Sequence, residues 1–147
     1  MSLPVIPIQL LTDQAKTPSY TRPGDAAVDL CATKHIVLKP FERCLVPTGV
    51  CLAIPDGYAG LVLPRSGLAI NRGLSLVNSP GLIDSNYRGE VQVIAINLDP
   101  KESISINVQD RIAQLVIIRA EEMRFEERCE LEETIRGENG FGSSGLQ

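Results

Sequence analysis

Short β-rich runs, separated by prolines and glycines, constrain the fold of this chain more than any other feature. The pattern predicts strands within residues 5–11, 36–38, 44–46, 50–54, 61–63, 74–77, 91–96, 104–108 and 111–118. Pro7 places the first run at a sheet edge. Only residues 66–72 favour a turn or two of helix, for which Ser66 is the expected cap. This succession predicts one all-β domain, a jelly-roll barrel or sandwich.

Composition excludes several classes of protein. With 147 residues, 44% hydrophobic and 22% charged, the chain is long enough for one domain with a core. Its net charge of -4 gives no general attraction for nucleic acid or anionic membranes, so neither is expected as a partner. No apolar run approaches the length of a membrane span, and the first residues lack a secretion-signal pattern. These features predict a cytoplasmic protein.

The metal-binding and nucleophilic residue types are sparse. Cys31, Cys44, Cys51 and Cys129 form no C-x-x-C pair, so we interpret them as reduced cytosolic thiols that mostly fill the core. His35 is the single histidine, which argues against a zinc site and against a Ser-His-Asp triad. Only 4% of residues are aromatic, which indicates a light core and favours burial of some apolar strands against other subunits.

The last residues, 136–145, combine glycines and serines with one arginine and one phenylalanine. A flexible linker is the simplest interpretation, but a linker needs neither Arg136 nor Phe141. Bare backbone N–H groups, a cation and an aromatic face suit a phosphate chain and a base. The G-x-G-x-x-G match at 140–145 does not indicate a dinucleotide fold, because no helix can follow it.

Two internal segments carry polar groups that a core does not need. In residues 81–89, Asp84 is either a turn residue or a base held at a strand end, with Tyr87 as a flat wall beside it. In residues 64–67, Arg65 and Ser66 precede the expected helix. Ser66 is either a simple cap or part of a phosphate site.

Together these segments resemble the trimeric dUTP pyrophosphatases (dUTPases). The motifs GDAAVDL (24–30), PRSGLA (64–69), GLID with YRG (81–89), DRIAQL (110–115) and the tail from Arg136 occur in the family's order. The resemblance implies jelly-roll homotrimers that hydrolyse dUTP to dUMP and pyrophosphate with Mg²⁺. That reaction supplies dUMP for dTMP synthesis and keeps uracil out of DNA. Residues 1–134 would form the β domain and 135–147 a Gly-rich lid from a neighbouring subunit.

The resemblance also implies a role for individual residues. Asp84 would deprotonate the attacking water, and Asp29 would reach magnesium through a water molecule. Tyr87 would pack under the deoxyribose and exclude a 2′-hydroxyl. The other expected substrate contacts are Asn78, Leu82 and Ile83 at uracil, with Phe141 stacked on it; Arg65, Ser66, Gly67, Gln114, Arg136, Gly142 and Ser143 at the phosphates; and Gln92 as a further contact.

Ala27, Asn86, Glu138 and Gln92 depart from the family's usual residues, but none replaces a catalytic group. Two alternatives use the same fold. A dCTP deaminase would need a glutamate that activates water, and no glutamate occupies a suitable motif position. A non-enzymatic binder would have lost Asp84 or the tail, and this sequence has both. Nucleotide hydrolysis is therefore the expected function.

Overall fold

A computed structural model of the chain describes residues 4–135 and residue 137. Those residues form ten strands and one short helix. In chain order they are β1 (Ile8–Leu10), β2 (Val28–Cys31), β3 (Ile36–Leu38), β4 (Arg43–Leu52), β5 (Tyr58–Leu63), α1 (Ser66–Arg72), β6 (Leu74–Leu76), β7 (Gly81–Ile83), β8 (Glu90–Asn97), β9 (Ile104–Ile106) and β10 (Arg111–Arg119).

The strands pack as two four-stranded antiparallel sheets, with the orders β1-β4-β8-β6 and β2-β10-β5-β7, and a separate β3–β9 pair. Alternate residues of the long strands point inward, so Val91, Val93 and Ala95 of β8 are buried between exposed or half-buried neighbours. They join one continuous aliphatic core. The predicted all-β jelly-roll architecture is confirmed, and β1 lies at a sheet edge as Pro7 indicated.

Three details differ from the strand prediction. The runs at 44–46 and 50–54 are largely one strand, β4, because Pro47 and Gly49 lie at an irregularity in the pairing with β8 rather than in a turn. Strands β2 and β7 were not predicted as separate runs. Each is three or four residues long, and Gly81 and Pro80 make β7 resemble a turn.

The helix occurs where it was predicted, but its cap differs. Arg65, not Ser66, is the extended residue before the first turn, and it makes no side-chain capping bond. The prediction that Ser66 caps α1 is therefore wrong, since Ser66 is already helical. Gly73 ends the helix with a φ of 68°, a left-handed conformation that glycine adopts readily.

The described cysteines and the histidine do not belong to a metal-binding cluster. The described cysteines are free thiols. Cys31, Cys44 and Cys51 are half-buried and Cys129 is exposed, so the prediction that they mostly fill the core is wrong, although Cys44 packs against the core. Exposed His35 lies 3.1 Å from the Ser105 hydroxyl. In the described part of the chain, no helix has the length and apolar character needed to cross a membrane.

Candidate active site

A cleft of about 160 Å³ opens between β7 and the start of β8, and we refer to it as the β7–β8 cleft. Its polar lining comes from chain segments close in sequence, because β7, the following turn and β8 are consecutive. The apolar floor includes Val62 of β5 and Leu76 of β6. Six predicted site residues line this cleft: Asn78, Leu82, Ile83, Asp84, Tyr87 and Gln92.

A tight turn places Asp84 and Tyr87 on this cleft. The backbone N–H of Tyr87 donates to the Asp84 carbonyl at 3.1 Å, which closes the turn directly after β7. Arg88 secures the turn from outside, since its Nη1 donates to the carbonyls of Ser85 at 2.6 Å and Tyr87 at 2.8 Å. Asp84 therefore closes the turn through its main-chain carbonyl, which every residue type has, and not through the side-chain bonds that aspartate often accepts in turns.

The Asp84 side chain is exposed, and among the described residues no hydrogen bond to its carboxylate is formed. A carboxylate in that position can accept a proton from a water molecule in the cleft. Of the described residues that line the cleft, none is a lysine or an arginine, and Glu90 adds a second acidic group. The cleft therefore suits an uncharged base and sugar better than it suits phosphates.

Tyr87 and Gln92 are each held by Glu90. The Tyr87 hydroxyl donates to the Glu90 carbonyl at 2.9 Å. The Glu90 carboxylate accepts from Gln92 Nε2 at 3.1 Å and from the Gly49 N–H at 2.7 Å, which ties this wall to β4. Glu90 was not predicted as a site residue. One signal in the sequence could have indicated it: Glu90 lies two residues before Gln92 on the same strand, so both side chains point to the same face.

A second, wider cleft lies beside the start of α1, and we refer to it as the α1 cleft. It has a volume of about 840 Å³ and contains four arginines, Arg22, Arg65, Arg72 and Arg111. Its four arginines outnumber its two aspartates, Asp25 and Asp29, so the cleft suits phosphates. Five predicted site residues line it: Asp29, Arg65, Ser66, Gly67 and Gln114.

Asp29 holds two of these arginines in place. Its Oδ1 lies 2.8 Å from Arg65 Nε, and its Oδ2 lies 3.3 Å from Arg111 Nη1. The register of β2 and β10 places Asp29 opposite Gln114, whose Nε2 donates to the Pro64 carbonyl at 2.9 Å. Arg111 was not predicted as a site residue, although it stands in the DRIAQL motif.

The first turn of α1 offers backbone donors to the same cleft. The first intrahelical bond runs from the Ala69 N–H to the Arg65 carbonyl at 3.0 Å. The N–H groups of Ser66, Gly67 and Leu68 come before it and therefore have no acceptor within the helix. A Cβ added to Gly67 would meet no heavy atom of residues 4–135 or 137 within 4 Å, so this part of the chain leaves that side of the turn open. An anion can therefore approach the main chain closely here.

Burial raises the pKa of the Cys31 thiol, and the nearby Asp29 raises it further, while Lys16, Arg111 and Arg65 act in the opposite direction. The thiol is therefore protonated at neutral pH and is not a nucleophile.

No group of three or more histidine, cysteine or acidic side chains within the described residues could enclose a metal ion. This part of the chain thus provides no protein cage for a metal.

Comparisons with known proteins agree with this geometry. A family model described as dUTPase matches residues 13–145. The chain belongs to the dUTPase family. It is 53% identical to the deoxyuridine 5′-triphosphate nucleotidohydrolase of Streptomyces griseus over 94% of this chain and 78% of that protein. The corresponding protein of Corynebacterium glutamicum is 51% identical over 97% and 96% of the two chains.

Solved dUTPase structures share the fold. The dUTPase of Staphylococcus bacteriophage 80alpha with dUPNHPP has a TM-score of 0.89 at 30% identity, covering 97% of this chain and 99% of that one. A point variant of the dUTPase from phage phi11 of S. aureus, described for its coordination of a structural Mg(II) ion, has a TM-score of 0.81 at 25% identity. It covers 86% of this chain and 98% of that chain.

A single chain does not bring all of the predicted site residues that the structure describes into one cleft. The β7–β8 cleft and the α1 cleft share no lining residue, so Asp84 and Arg65 line different clefts of the described chain. The remaining predicted site residues, Arg136, Phe141, Gly142 and Ser143, lie outside the described residues.

Proposed function

We propose that this protein hydrolyses dUTP to dUMP and pyrophosphate. The observation that carries the proposal is the open Asp84 carboxylate in a cleft that also presents the Asn78 amide and the Tyr87 ring. The amide has a donor and an acceptor for the edge of uracil, and the ring forms a flat wall for the sugar. The relatives that resemble this chain over most of its length are named as nucleotidohydrolases of deoxyuridine 5′-triphosphate.

In the proposed reaction, Asp84 accepts a proton from a water molecule as the water oxygen attacks the α-phosphorus of dUTP. A new P–O bond forms at that phosphorus, and its bond to the bridging oxygen of the β-phosphate breaks. The bridging oxygen keeps the bonding electrons and leaves as part of pyrophosphate. Cleavage of a phosphoanhydride depends mainly on positioning and on charge stabilisation, so no covalent enzyme intermediate is needed.

The phosphates require positive charge that the β7–β8 cleft does not supply within the described residues. The α1 cleft has that charge, together with backbone donors and Gln114. We propose that the α1 cleft of one subunit completes the β7–β8 cleft of another in a homotrimer. Exposed apolar side chains such as Leu82, Val77 and Ile118 are then available for contacts between subunits.

We propose Mg²⁺ as the cofactor, bound mainly by the substrate's phosphates. Asp29 is the candidate protein contact, through a water molecule, because both of its oxygens already face arginines. The donor set fits this arrangement, since Mg²⁺ usually keeps several waters and binds one or two carboxylates plus phosphates. When bound, the ion neutralises phosphate charge. The arginines, Gln114 and the α1 amides would orient the same phosphates.

We propose that residues 1–134 form the β domain and that residues 135–147 form a lid over the site. Arg136, Gly142 and Ser143 would contact phosphates, and Phe141 would stack on uracil. Such a segment excludes bulk water and holds the triphosphate in line with the attacking water.

Pyrophosphate release from dUTP, dCTP, dTTP and UTP tests the proposal directly. We expect hydrolysis of dUTP with strong preference over the other three, and loss of activity when EDTA removes the divalent ion. Ammonia release from dCTP would indicate a deaminase instead. Nucleotide binding without any turnover would indicate a non-enzymatic binder.

The Asp84→Asn variant tests the base. We expect kcat for dUTP to fall by about 10² to 10⁴, because the amide keeps the shape of the carboxylate but cannot accept the proton. Calorimetric titration with a non-hydrolysable dUTP analogue should give nearly unchanged affinity. Equal losses in affinity and turnover would assign Asp84 to binding or folding alone.

A further inference from the structure

Gly89 lies directly against the ring of Tyr87. A Cβ added to Gly89 would lie 2.5 Å from the Tyr87 Oη, 2.7 Å from Cζ and 3.1 Å from Cε2. Ordinary van der Waals contact begins at 3.4 Å, so the ring occupies the space that any larger residue would need. The φ of Gly89 is outside the left-handed region, and close packing is therefore the reason that glycine suits this position.

The contact with Gly89 adds to two hydrogen bonds that hold the same residue. The Tyr87 N–H donates to the Asp84 carbonyl at 3.1 Å, and its hydroxyl donates to the Glu90 carbonyl at 2.9 Å. Tyr87 is still 45% exposed, so core packing does not hold the ring. Because Gly89 has no side chain, the Tyr87 ring can pass over its Cα, and the hydroxyl can bind the Glu90 carbonyl at the start of β8.

We infer that Gly89 is a positioning residue that sets discrimination between deoxyribose and ribose by fixing the ring of Tyr87. The inference rests on the proposed function, in which that ring is the wall beneath the sugar. A wall that rejects one hydroxyl group works only while its position is well defined. A methyl group on residue 89 would force the ring from its place, break the bond to Glu90 and leave the wall poorly defined.

The test compares kcat/KM for dUTP and for UTP in the wild-type protein and the Gly89→Ala variant. We expect the dUTP-to-UTP ratio to fall by about tenfold or more, a size within the range for steric discrimination of a single group. An unchanged ratio in an active Gly89→Ala variant would overturn the inference. Failure of this variant to fold would also overturn the inference, because displacement of the partly exposed Tyr87 ring should not disrupt the core.

Gly67→Ala is the matched control. Its added methyl group would meet no heavy atom of the described residues within 4 Å but would lie in the α1 cleft, which we assign to phosphates common to both nucleotides. Its kcat/KM values should change by the same factor for dUTP and UTP, so their ratio should remain at the wild-type value. A fall equal to that of Gly89→Ala would contradict the specific role of residue 89.

A double variant separates an action through Tyr87 from a direct effect of residue 89. In a Tyr87→Ala background the ring is absent, so adding Gly89→Ala should leave the selectivity ratio unchanged. A further fall in that ratio would contradict the inference. Absence of dUTP hydrolysis by the wild-type protein would instead overturn the proposed function and this inference together, so the two failures are distinguishable.

Discussion

Asn97 is a polar side chain with no solvent exposure, at the end of β8. Its Nδ2 donates to the carbonyls of Leu38 at 3.1 Å and Glu102 at 2.8 Å, and its Oδ1 accepts from the Asp99 N–H at 2.9 Å. The amide therefore joins β3, β8 and the turn that leads to β9. Because burial without partners is costly, these three bonds make Asn97 part of the fold rather than a defect in the core.

Replacing Asn97 by leucine should destabilise the protein by about 3 kcal/mol, since one buried and two part-buried main-chain groups would lose their partner. Urea unfolding at one protein concentration measures the change. Asn107→Ala is the control, because Asn107 is exposed and its variant should unfold within about 0.5 kcal/mol of wild type. Equal stability of the two variants would contradict the role of the buried amide.

Asp99 gives the same turn a dependence on pH. The N–H groups of Glu102 and Lys101 each donate to Oδ1 at 2.8 Å, and these backbone bonds lower the pKa of Asp99 below its ordinary value of 3.8. The folded state therefore favours the charged form. Its contribution to stability is complete above the ordinary pKa of aspartate and is lost as the pH falls through the lower folded pKa.

The Asp99→Asn variant isolates this charge while keeping an oxygen that can accept the same bonds. We expect the wild-type Tm to exceed the variant Tm at neutral pH, with the difference shrinking below a pH of about 4. Thermal melts from neutral pH down to a pH of about 3 measure both proteins under matched conditions. A difference that grew on acidification would contradict the sign of the pKa change.

β4 is the element in which a local irregularity has a consequence for the site. Its pairing with β8 shifts between Pro47 and Cys51, and Gly49 lies within that shift with a φ of 68°. The shift turns the Gly49 N–H toward the Glu90 carboxylate, which also binds Gln92 at the β7–β8 cleft. The bulge in β4 therefore helps to place a wall of the candidate active site.

Gly49→Ala tests how tightly this bulge is built. An added Cβ would lie 2.7 Å from the Ala15 Cβ, in addition to the strain of a positive φ. Gly57→Ala is the matched control, because Gly57 has a φ of 79° but its added Cβ would meet none of the described residues within 4 Å. We expect Gly57→Ala to cost about 1 kcal/mol of unfolding free energy and Gly49→Ala to cost about 1–3 kcal/mol more. Chemical unfolding of both variants measures the difference, and similar losses would show that only φ matters.

At the scale of the whole molecule, the candidate site residues that the structure describes lie in two different clefts. The β7–β8 cleft contains the candidate base and nucleoside contacts, and the α1 cleft contains the arginines. This division is what a site shared between subunits requires, because a triphosphate bound to one cleft must be neutralised by the other. Symmetric association would then form equivalent sites at each subunit interface.

Complementation between subunits tests this arrangement. Asp84→Asn and Arg65→Ala should each be nearly inactive alone, because they damage different clefts. Mixed oligomers prepared by refolding the two together should regain part of the dUTP hydrolysis, since some interfaces combine two intact clefts. Mixing Asp84→Asn with the double variant Asp84→Asn/Arg65→Ala is the control and should restore nothing, because no subunit then contributes an intact β7–β8 cleft. No recovery in the first mixture, or an active monomer by sedimentation equilibrium, would contradict a shared site.

The linear pattern of residues was enough to locate most of the strands and the turn that presents Asp84 and Tyr87. Alternation of apolar side chains determines which face of a strand is buried, and prolines and glycines mark where strands end. Asp84 and Tyr87 are three residues apart, so their relationship is a property of one turn. The family resemblance selected the same residues from their motifs.

Only the tertiary structure decided which remote residues meet. Asp29 contacts Arg65 and Arg111 because the register of β2 and β10 and the position of α1 bring them together. The tie from Gly49 to Glu90 likewise depends on how β4 pairs with β8. Local pattern specifies which faces are buried, but register and bulges follow from the packing of the whole core, to which residues throughout the chain contribute.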